Sequence, residues 1–385
     1  MDASSSAKLK ELRVKMDKAD EALLNAFIDR MNISGEVAEC KIKEGIPVFD
    51  PTRERDKLIT LASAAPDEMK TYVKMLYNTL FEMSRSNQNR IMGVRSELCD
   101  EIEAALENTP KLFPEGGRIA CQGVEGAYSQ LACEKLFGMP EIMFFKTFEN
   151  VCSAIDNGLC DYGVLPLENS MAGTVNRIYD LMAKYNLRIV RSTKLKVDHS
   201  LLAKPGTKIG DIKEIYSHEQ AIQQCSEFLK KHSDIKVTYF ENTAAAAQAV
   251  ANSDRTDLAS ISSKNCAALY SLSCLAESVQ DRDNNYTRFV CLAKQAEIYP
   301  GADRTSIIMV LPHKPGSLYR AMSKIHSMGV NIQKLESRPI AERDFDFMFY
   351  FDLDVSVYSE NFLMLIQQLE EAADTFIYLG SYREV

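Results

Sequence analysis

The chain has 385 residues, 46% of them hydrophobic and 26% charged, and a formal net charge of −9. That length exceeds one typical core and implies two or three domains of ordinary globular composition. The acidic balance excludes nucleic acid as a partner, because no basic excess exists to displace counterions, but it leaves room for a local basic pocket that takes an anionic metabolite.

In chain order, the first ten residues lack an apolar core segment and carry Lys8 and Lys10, so no secretory signal is expected. From residue 8 to about 107 the pattern is helical. Leu9, Leu12, Met16, Ala19, Leu23 and Ala26 step by threes and fours, which predicts a buried helical seam. A break at 43–51 precedes a second helix with Asp50 as N-cap and Pro51 at its first position. Pro66 interrupts again, and 67–107 reads as one long helix.

The stretch 109–117, rich in Pro and Gly, is a linker by composition. Beyond it, short β-rich runs (118–121, 142–145, 162–166, 215–217, 237–240, 258–261) alternate with helical stretches. This predicts an α/β domain over 118–298 with mainly parallel sheets. After Tyr299-Pro300-Gly301 the order is strand 305–311, helix 317–327, strand 330–337, strand 345–355, helix 360–373, strand 376–382, the ferredoxin-like βαββαβ arrangement. No apolar run reaches bilayer length. The 10 cysteines show no CxxC pair and the five histidines no metal-ligand spacing, so the chain reads as cytoplasmic, without metal or cofactor.

The helical segment places cations where apolar residues belong. Seven residues after Leu23 comes Arg30, and Lys41, eleven residues further on, shares its face. Either both snorkel to solvent from a helix edge, or an anionic ligand supplies the partner that buried charge requires. Arg13 lies about 25 Å from Arg30 along an unbroken helix. If it serves the same pocket it must come from a second subunit, which points to an entwined dimer.

The set Leu12-Arg13, Asp29-Arg30, Lys41, Val48, Asp50 and Arg53-Glu54-Arg55, with Ser84 and Gln88 one turn apart on the third helix, resembles the all-helical chorismate mutases. Their reaction is pericyclic and needs no proton donor, nucleophile or metal, only orientation and preorganised charge. The resemblance implies that Arg13 of the other subunit and Arg30 hold the two carboxylates, supported by Arg53 and Ser84. Lys41 and Gln88 would donate to the ether oxygen, and Glu54 and Asp50 would position the substrate hydroxyl. An N-cap before Pro51 explains Asp50 equally well.

Glycines 123 and 126 follow a strand and open a helix, a weak dinucleotide-like signal that is also an ordinary strand–helix turn. Together with Tyr128-Ser129, Glu168-Asn169-Ser170, Gly173, Asp198-His199, Ser217-His218, Glu241-Asn242-Thr243 and Asn285-Tyr286-Thr287-Arg288-Phe289, they resemble prephenate dehydratase. That family implies two α/β lobes with the site between them. By the same resemblance Thr287 is the central residue, a hydrogen-bond donor to the departing hydroxyl placed by Arg288 and Phe289. Tyr128, Asn169, Ser170, Thr243, Arg288 and Phe289 would line the substrate site.

Pro315-Gly316-Ser317-Leu318 and Glu336-Ser337-Arg338-Pro339 resemble the amino-acid-binding ACT domain attached to such enzymes. This implies that Gly316, Ser317, Leu318, Glu336, Ser337 and Arg338 bind phenylalanine as a feedback inhibitor at a domain interface. The domains then run 1–108 (mutase), 118–298 (dehydratase) and 303–385 (regulatory), in a homodimer or tetramer. Two alternatives stay open: a dehydratase preferring arogenate, and a non-enzymatic phenylalanine-binding regulator.

Overall fold

The computed structural model describes residues 3–93, 95–340 and 347–385. The chain divides into two compact units, one ending at Asp100 and the other beginning at Glu101.

The first unit is all-helical: α1 (Ala3–Glu44), α2 (Pro51–Ala64), a single 3-10 turn (Asp67–Met69) and α3 (Lys70–Ile91), followed by the start of α4 (Glu97–Asn108). Asp50 caps α2, its Oδ1 accepting from the Arg53 amide at 3.0 Å. The expected long helix over 67–107 is instead two, because Gly93 adopts φ +63 and ends α3. Within the single chain the expected seam is not covered. Leu9, Leu12, Met16 and Leu23 are each at least half exposed, and Ala19 and Ala26 are exposed too. At 1.5 Å per residue α1 is about 63 Å long and α3 about 33 Å. The partner helix thus covers only the C-terminal half of α1, where Ser34 and Ala38 are buried.

The second unit carries α4 into β1 (Gly116–Gln122), α5 (Tyr128–Leu136), β2 (Met139–Phe145), α6 (Phe148–Asp156), β3 (Tyr162–Asn169), β4 (Gly173–Thr174), α7 (Asn176–Tyr185) and β5 (Arg188–Lys196). The chain then crosses to a second lobe: β6 (Ser200–Ala203), β7 (Glu214–Ser217), α8 (Glu219–Gln224), α9 (Ser226–Lys231), β8 (Lys236–Tyr239), α10 (Thr243–Asn252), β9 (Leu258–Ser262), α11 (Asn265–Leu269) and β10 (Ser273–Ala276). It returns as β11 (Tyr286–Ala293), which enters the first sheet between β3 and β5, giving the order β2-β1-β3-β11-β5. The second lobe has the order β10-β6-β9-β7-β8. Both sheets are mixed, not mainly parallel: β11 runs antiparallel to both neighbours, and β6 to β9 and β10. Two crossings between lobes reverse the chain direction, and simple βαβ alternation cannot produce that.

The segment read as a linker is anchored. Phe113 packs on Phe137 and Tyr299 with ring centroids 5.0 and 4.8 Å apart, and Thr109 Oγ1 accepts from the Ile298 amide at 3.0 Å.

The last part runs β12 (Arg304–Val310), α12 (Ser317–Ser327), β13 (Asn331–Pro339), β14 (Phe347–Asp354), α13 (Phe362–Ala372) and β15 (Thr375–Tyr382). Its antiparallel sheet has the order β13-β14-β12-β15. The expected start of the third strand, Phe345, lies outside the described residues. One face of this sheet shares a core with the first lobe, in which Ile308, Tyr350, Leu379 and Tyr382 pack with Tyr179, Ile189 and Leu292. At Gly380 a Cβ would collide with the Ile189 carbonyl, so glycine is what lets β15 lie against β5. Among the described residues no helix is long and apolar enough to cross a membrane, and no His/Cys/Asp/Glu group is arranged to hold a metal.

Candidate active sites

In the first unit the inner turns of α1 and α3 bring Arg30, Ser34, Ser84 and Gln88 together. Arg30 Nη1 donates to Ser84 Oγ at 2.5 Å and to the Leu80 carbonyl at 3.0 Å. Its guanidinium also lies 5.7 Å from the centroid of the Phe81 ring. Ser34 Oγ donates to the Ser84 carbonyl at 3.2 Å and accepts from Gln88 Nε2 at 3.3 Å. Gln88 Oε1 is buried without a hydrogen-bond partner, an acceptor left for something else.

Lys41 Nζ donates to the Val48 carbonyl at 2.6 Å, tying the helix end to the loop before α2. Glu54 receives both its short contacts, 2.5 Å each, from Arg85 Nη1. Sequence reasoning missed Ser34 and Arg85. Their signal was slight: Ser34 stands one turn after Arg30, and Arg85 follows Ser84. Asp50 is exposed and its Oδ1 serves as the helix cap, one of the two roles that its position before Pro51 offered. Arg13 and Arg53 present exposed side chains. Because α1 is unbroken, Arg13 stays remote from the Arg30 cluster of its own chain.

In the second unit the register of β3 and β11 sets Thr287 opposite Asn169. Asn169 Nδ2 donates to Thr287 Oγ1 at 2.9 Å and to Asn285 Oδ1 at 2.8 Å. Its Oδ1 accepts from the amides of Met171 and Ala172. Asn285 Nδ2 in turn donates to Gln224 Oε1 at 2.9 Å, and His199 Nε2 lies 3.1 Å from that same oxygen. An amide oxygen cannot donate, so neutral His199 carries its proton on Nε2, leaving Nδ1 buried and unpartnered. Burial pushes the His199 pKa down, despite the opposing hydrogen bond to Gln224. Gln224, 61 residues from Asn285, gave no sequence signal.

Around this chain, Ser170 Oγ donates to the Asn284 carbonyl at 2.8 Å and accepts from the Tyr286 amide at 2.9 Å, pinning the entry to β11. Tyr128 OH donates to the Asp198 carbonyl and accepts from the Asp198 amide, and burial raises its pKa. Thr243 opens α10 behind Asn242, whose side chain accepts from Ala245 N at 2.7 Å. A Cβ built on Gly123 would lie 3.8 Å from Asn242 Nδ2, so the glycine turn of the first lobe meets the start of α10.

Two expected substrate contacts are corrected. Arg288, 3% exposed, turns to the opposite face of the sheet from Thr287, where Glu168 and Asp352 neutralise it. Phe289, 2% exposed, is core, packed with Ile119, Cys121, Val164 and Val190.

In the last part, Ser317 and Leu318 line a cleft of about 390 Å³ with Leu311, Pro312, Phe347 and Phe349, beside Gly316 at the N-terminus of α12. Ser337 pairs in register with Phe349 of that cleft. Glu336 and Arg338 do not join it. Alternation along β13 turns them toward the first lobe, where Glu336 accepts from Thr174 Oγ1 at 2.5 Å and Arg338 pairs with Asp180 at 2.8 Å.

The family model for prephenate dehydratase matches residues 119–297, and that for chorismate mutase type II matches residues 12–89. The chain is 30% identical over 390 residues to the bifunctional chorismate mutase/prephenate dehydratase of Escherichia coli strain K12, covering 98% of this chain and 97% of that one. It is 37% identical over 277 residues to arogenate dehydratase/prephenate dehydratase 2, chloroplastic, of Arabidopsis thaliana, covering 69% and 72%. The solved prephenate dehydratase of Arthrobacter aurescens in complex with L-Phe aligns with a TM-score of 0.64 at 26% identity, over 69% of this chain and 90% of that chain.

Proposed function

The chain belongs to the bifunctional chorismate mutase/prephenate dehydratase family, and from that premise we propose how its residues divide two reactions and their control. The helical unit rearranges chorismate to prephenate. The two-lobed unit then expels the ring hydroxyl and CO₂ together to give phenylpyruvate.

In the mutase site Arg30, braced by Ser84, and Arg13 from a second subunit hold the two carboxylates, with Arg53 in support. Lys41 and Gln88 donate to the breaking ether bond, and Glu54, held by Arg85, positions the substrate hydroxyl. No proton need move, so the contribution is orientation and fixed positive charge. The exposed apolar half of α1 is then covered by a second copy, in a homodimer or tetramer.

In the dehydratase site Thr287 donates a hydrogen bond to the departing hydroxyl, which is otherwise a poor leaving group. Asn169, Ser170, Tyr128 and Thr243 shape the pocket around it. The βαββαβ part is a ferredoxin-like ACT domain, and the cleft beside Gly316, Ser317 and Leu318, with Ser337 at its edge, takes phenylalanine as an inhibitor. The helix N-terminus there suits a carboxylate. The enzyme works in the cytoplasm and needs no cofactor for either step.

The observation that carries this reading is the Asn169–Thr287 pair, set in a chain that matches a bifunctional relative along nearly its whole length. Purified protein given chorismate should consume it and form phenylpyruvate, with phenylalanine suppressing the product. Prephenate that accumulates without phenylpyruvate would refute the Thr287 assignment. Fusion to a mutase favours prephenate over arogenate, and competition between the two substrates measures that preference.

A further inference from the structure

Successive residues of a strand face opposite sides of a sheet. On β11 this separates Thr287 from Arg288, and on β3 it separates Asn169 from Glu168. The register pairs Thr287 with Asn169 and Arg288 with Glu168. Two cross-strand pairs therefore sit side by side, one on each face. The first is the amide–hydroxyl pair of the dehydratase site. The second is an ion pair, Arg288 Nη1 to Glu168 Oε1 at 3.0 Å.

That ion pair continues into the C-terminal sheet. Arg288 Nη1 reaches Asp352 Oδ2 on β14 at 2.5 Å, and Nη2 donates to the Tyr382 hydroxyl on β15. Asp352 Oδ1 accepts from Ser306 Oγ on β12 at 2.7 Å. From β13, Lys334 Nζ reaches Glu168 Oε2 at 2.8 Å and Thr174 Oγ1 at 2.6 Å. Burial alone pushes the Glu168 pKa up, but Lys334 and Arg288 bring it below the ordinary carboxylate value. Glu168 is partly exposed, whereas Arg288 and Asp352 are buried; removing one partner from this network leaves a charge incompletely compensated, and the strand bearing it must shift or admit water.

We infer that Arg288 and Glu168 are positioning residues for the Thr287–Asn169 pair, held in place by Asp352 and Lys334 of the C-terminal sheet. That sheet is then part of the dehydratase scaffold as well as a sensor. Phenylalanine bound in the C-terminal cleft acts on the reaction through these two ion pairs, a step that rests on the function proposed above. The two links act on the immediate chain neighbours of Thr287 and Asn169, where small displacements are costly.

The test uses the full chain carrying Lys334→Met, Lys334→Arg and Asp352→Asn, with chorismate mutase turnover as the internal control for folding. Lys334→Met should lower dehydratase kcat about ten- to a hundredfold and leave KM for prephenate within about twofold. It should also weaken inhibition by phenylalanine, while mutase turnover is unchanged. Lys334→Arg should recover most of kcat, and Asp352→Asn should repeat the loss. A dehydratase kcat in Lys334→Met equal to that of wild type overturns the inference while the proposed function stands. Normal sensitivity to phenylalanine despite a lowered kcat overturns the transmission step. A wild-type chain without dehydratase turnover overturns the function and the inference together.

Discussion

Asn169 donates to the Thr287 hydroxyl, and its orientation is not free. Two backbone amides, those of Met171 and Ala172, donate to its Oδ1, so the NH₂ group must face Thr287 Oγ1 at 2.9 Å. Thr287 is therefore the acceptor in that bond, and its own proton remains available for donation to another group. A threonine hydroxyl is a weak acid, and this arrangement suits hydrogen-bond donation to a departing hydroxyl better than full proton transfer.

Thr287→Ala should accordingly lower dehydratase turnover by about a hundredfold or more, the scale of losing one donor aimed at developing charge, and leave mutase turnover unchanged. Phenylpyruvate formation from prephenate, assayed beside chorismate loss, measures both. Equal loss of the two activities would mean general damage, whereas dehydratase turnover near that of wild type would refute the assignment.

Lys41→Ala should cost the mutase about 3–4 kcal/mol of transition-state stabilisation. Lys41 also donates to the Val48 carbonyl, so circular dichroism should accompany the kinetics to show that the helices persist. Turnover within about tenfold of wild type would remove Lys41 from the site.

If Arg13 serves the site of a neighbouring subunit, Arg13→Ala and Lys41→Ala, each inactive as a mutase, should complement. A mixed dimer holds one site with both residues intact and one with neither. Mutase activity should therefore appear after the two variants are unfolded and refolded together. No recovery from a mixture shown to contain hybrids would place Arg13 in its own subunit or outside the site.

Glu214, buried at the edge of the second lobe, has a pKa lowered from 4.5 to about 2. The causes are hydrogen bonds from Lys236, then Thr238, then Arg255, which outweigh burial. A carboxylate depressed in the folded state binds fewer protons than in the unfolded one. Its contribution is complete above 4.5 and is lost as pH falls toward 2. Glu214→Gln should therefore melt earlier than wild type at pH 7, and the gap should narrow through that acid window. A constant gap between pH 7 and pH 3 would contradict the ion-pair origin.

What was legible in the sequence follows a physical division. Asp50 before Pro51 and the βαββαβ order are local patterns, and local chemistry decides them. Arg288 was misread as a substrate contact because its direction depends on the register of β11, and its partner Asp352 lies 64 residues away. Gln224 was invisible for the same reason. The seam of α1 carries the right periodicity, but periodicity shows only that a face is apolar, not which surface covers it. Glu336 and Arg338 share a motif with Ser337, yet strand alternation sends them to the other side of the sheet.

The placement of β11 also bears on how the protein is made. Among the described residues β5 pairs along one edge with β11 and is bridged on the other, at Ser192, by Glu384 near the C-terminus, and both partners are synthesised after the whole second lobe. Residues 188–196 must therefore wait on the ribosome, one strand edge unpaired until residues 286–293 emerge and the other until the C-terminal residues do. Such long-range pairing is slow, and exposed edges invite other chains. The first lobe should thus be the part of a nascent chain that most needs a chaperone, and a chain stopped before residue 286 should aggregate instead of keeping a half-built enzyme.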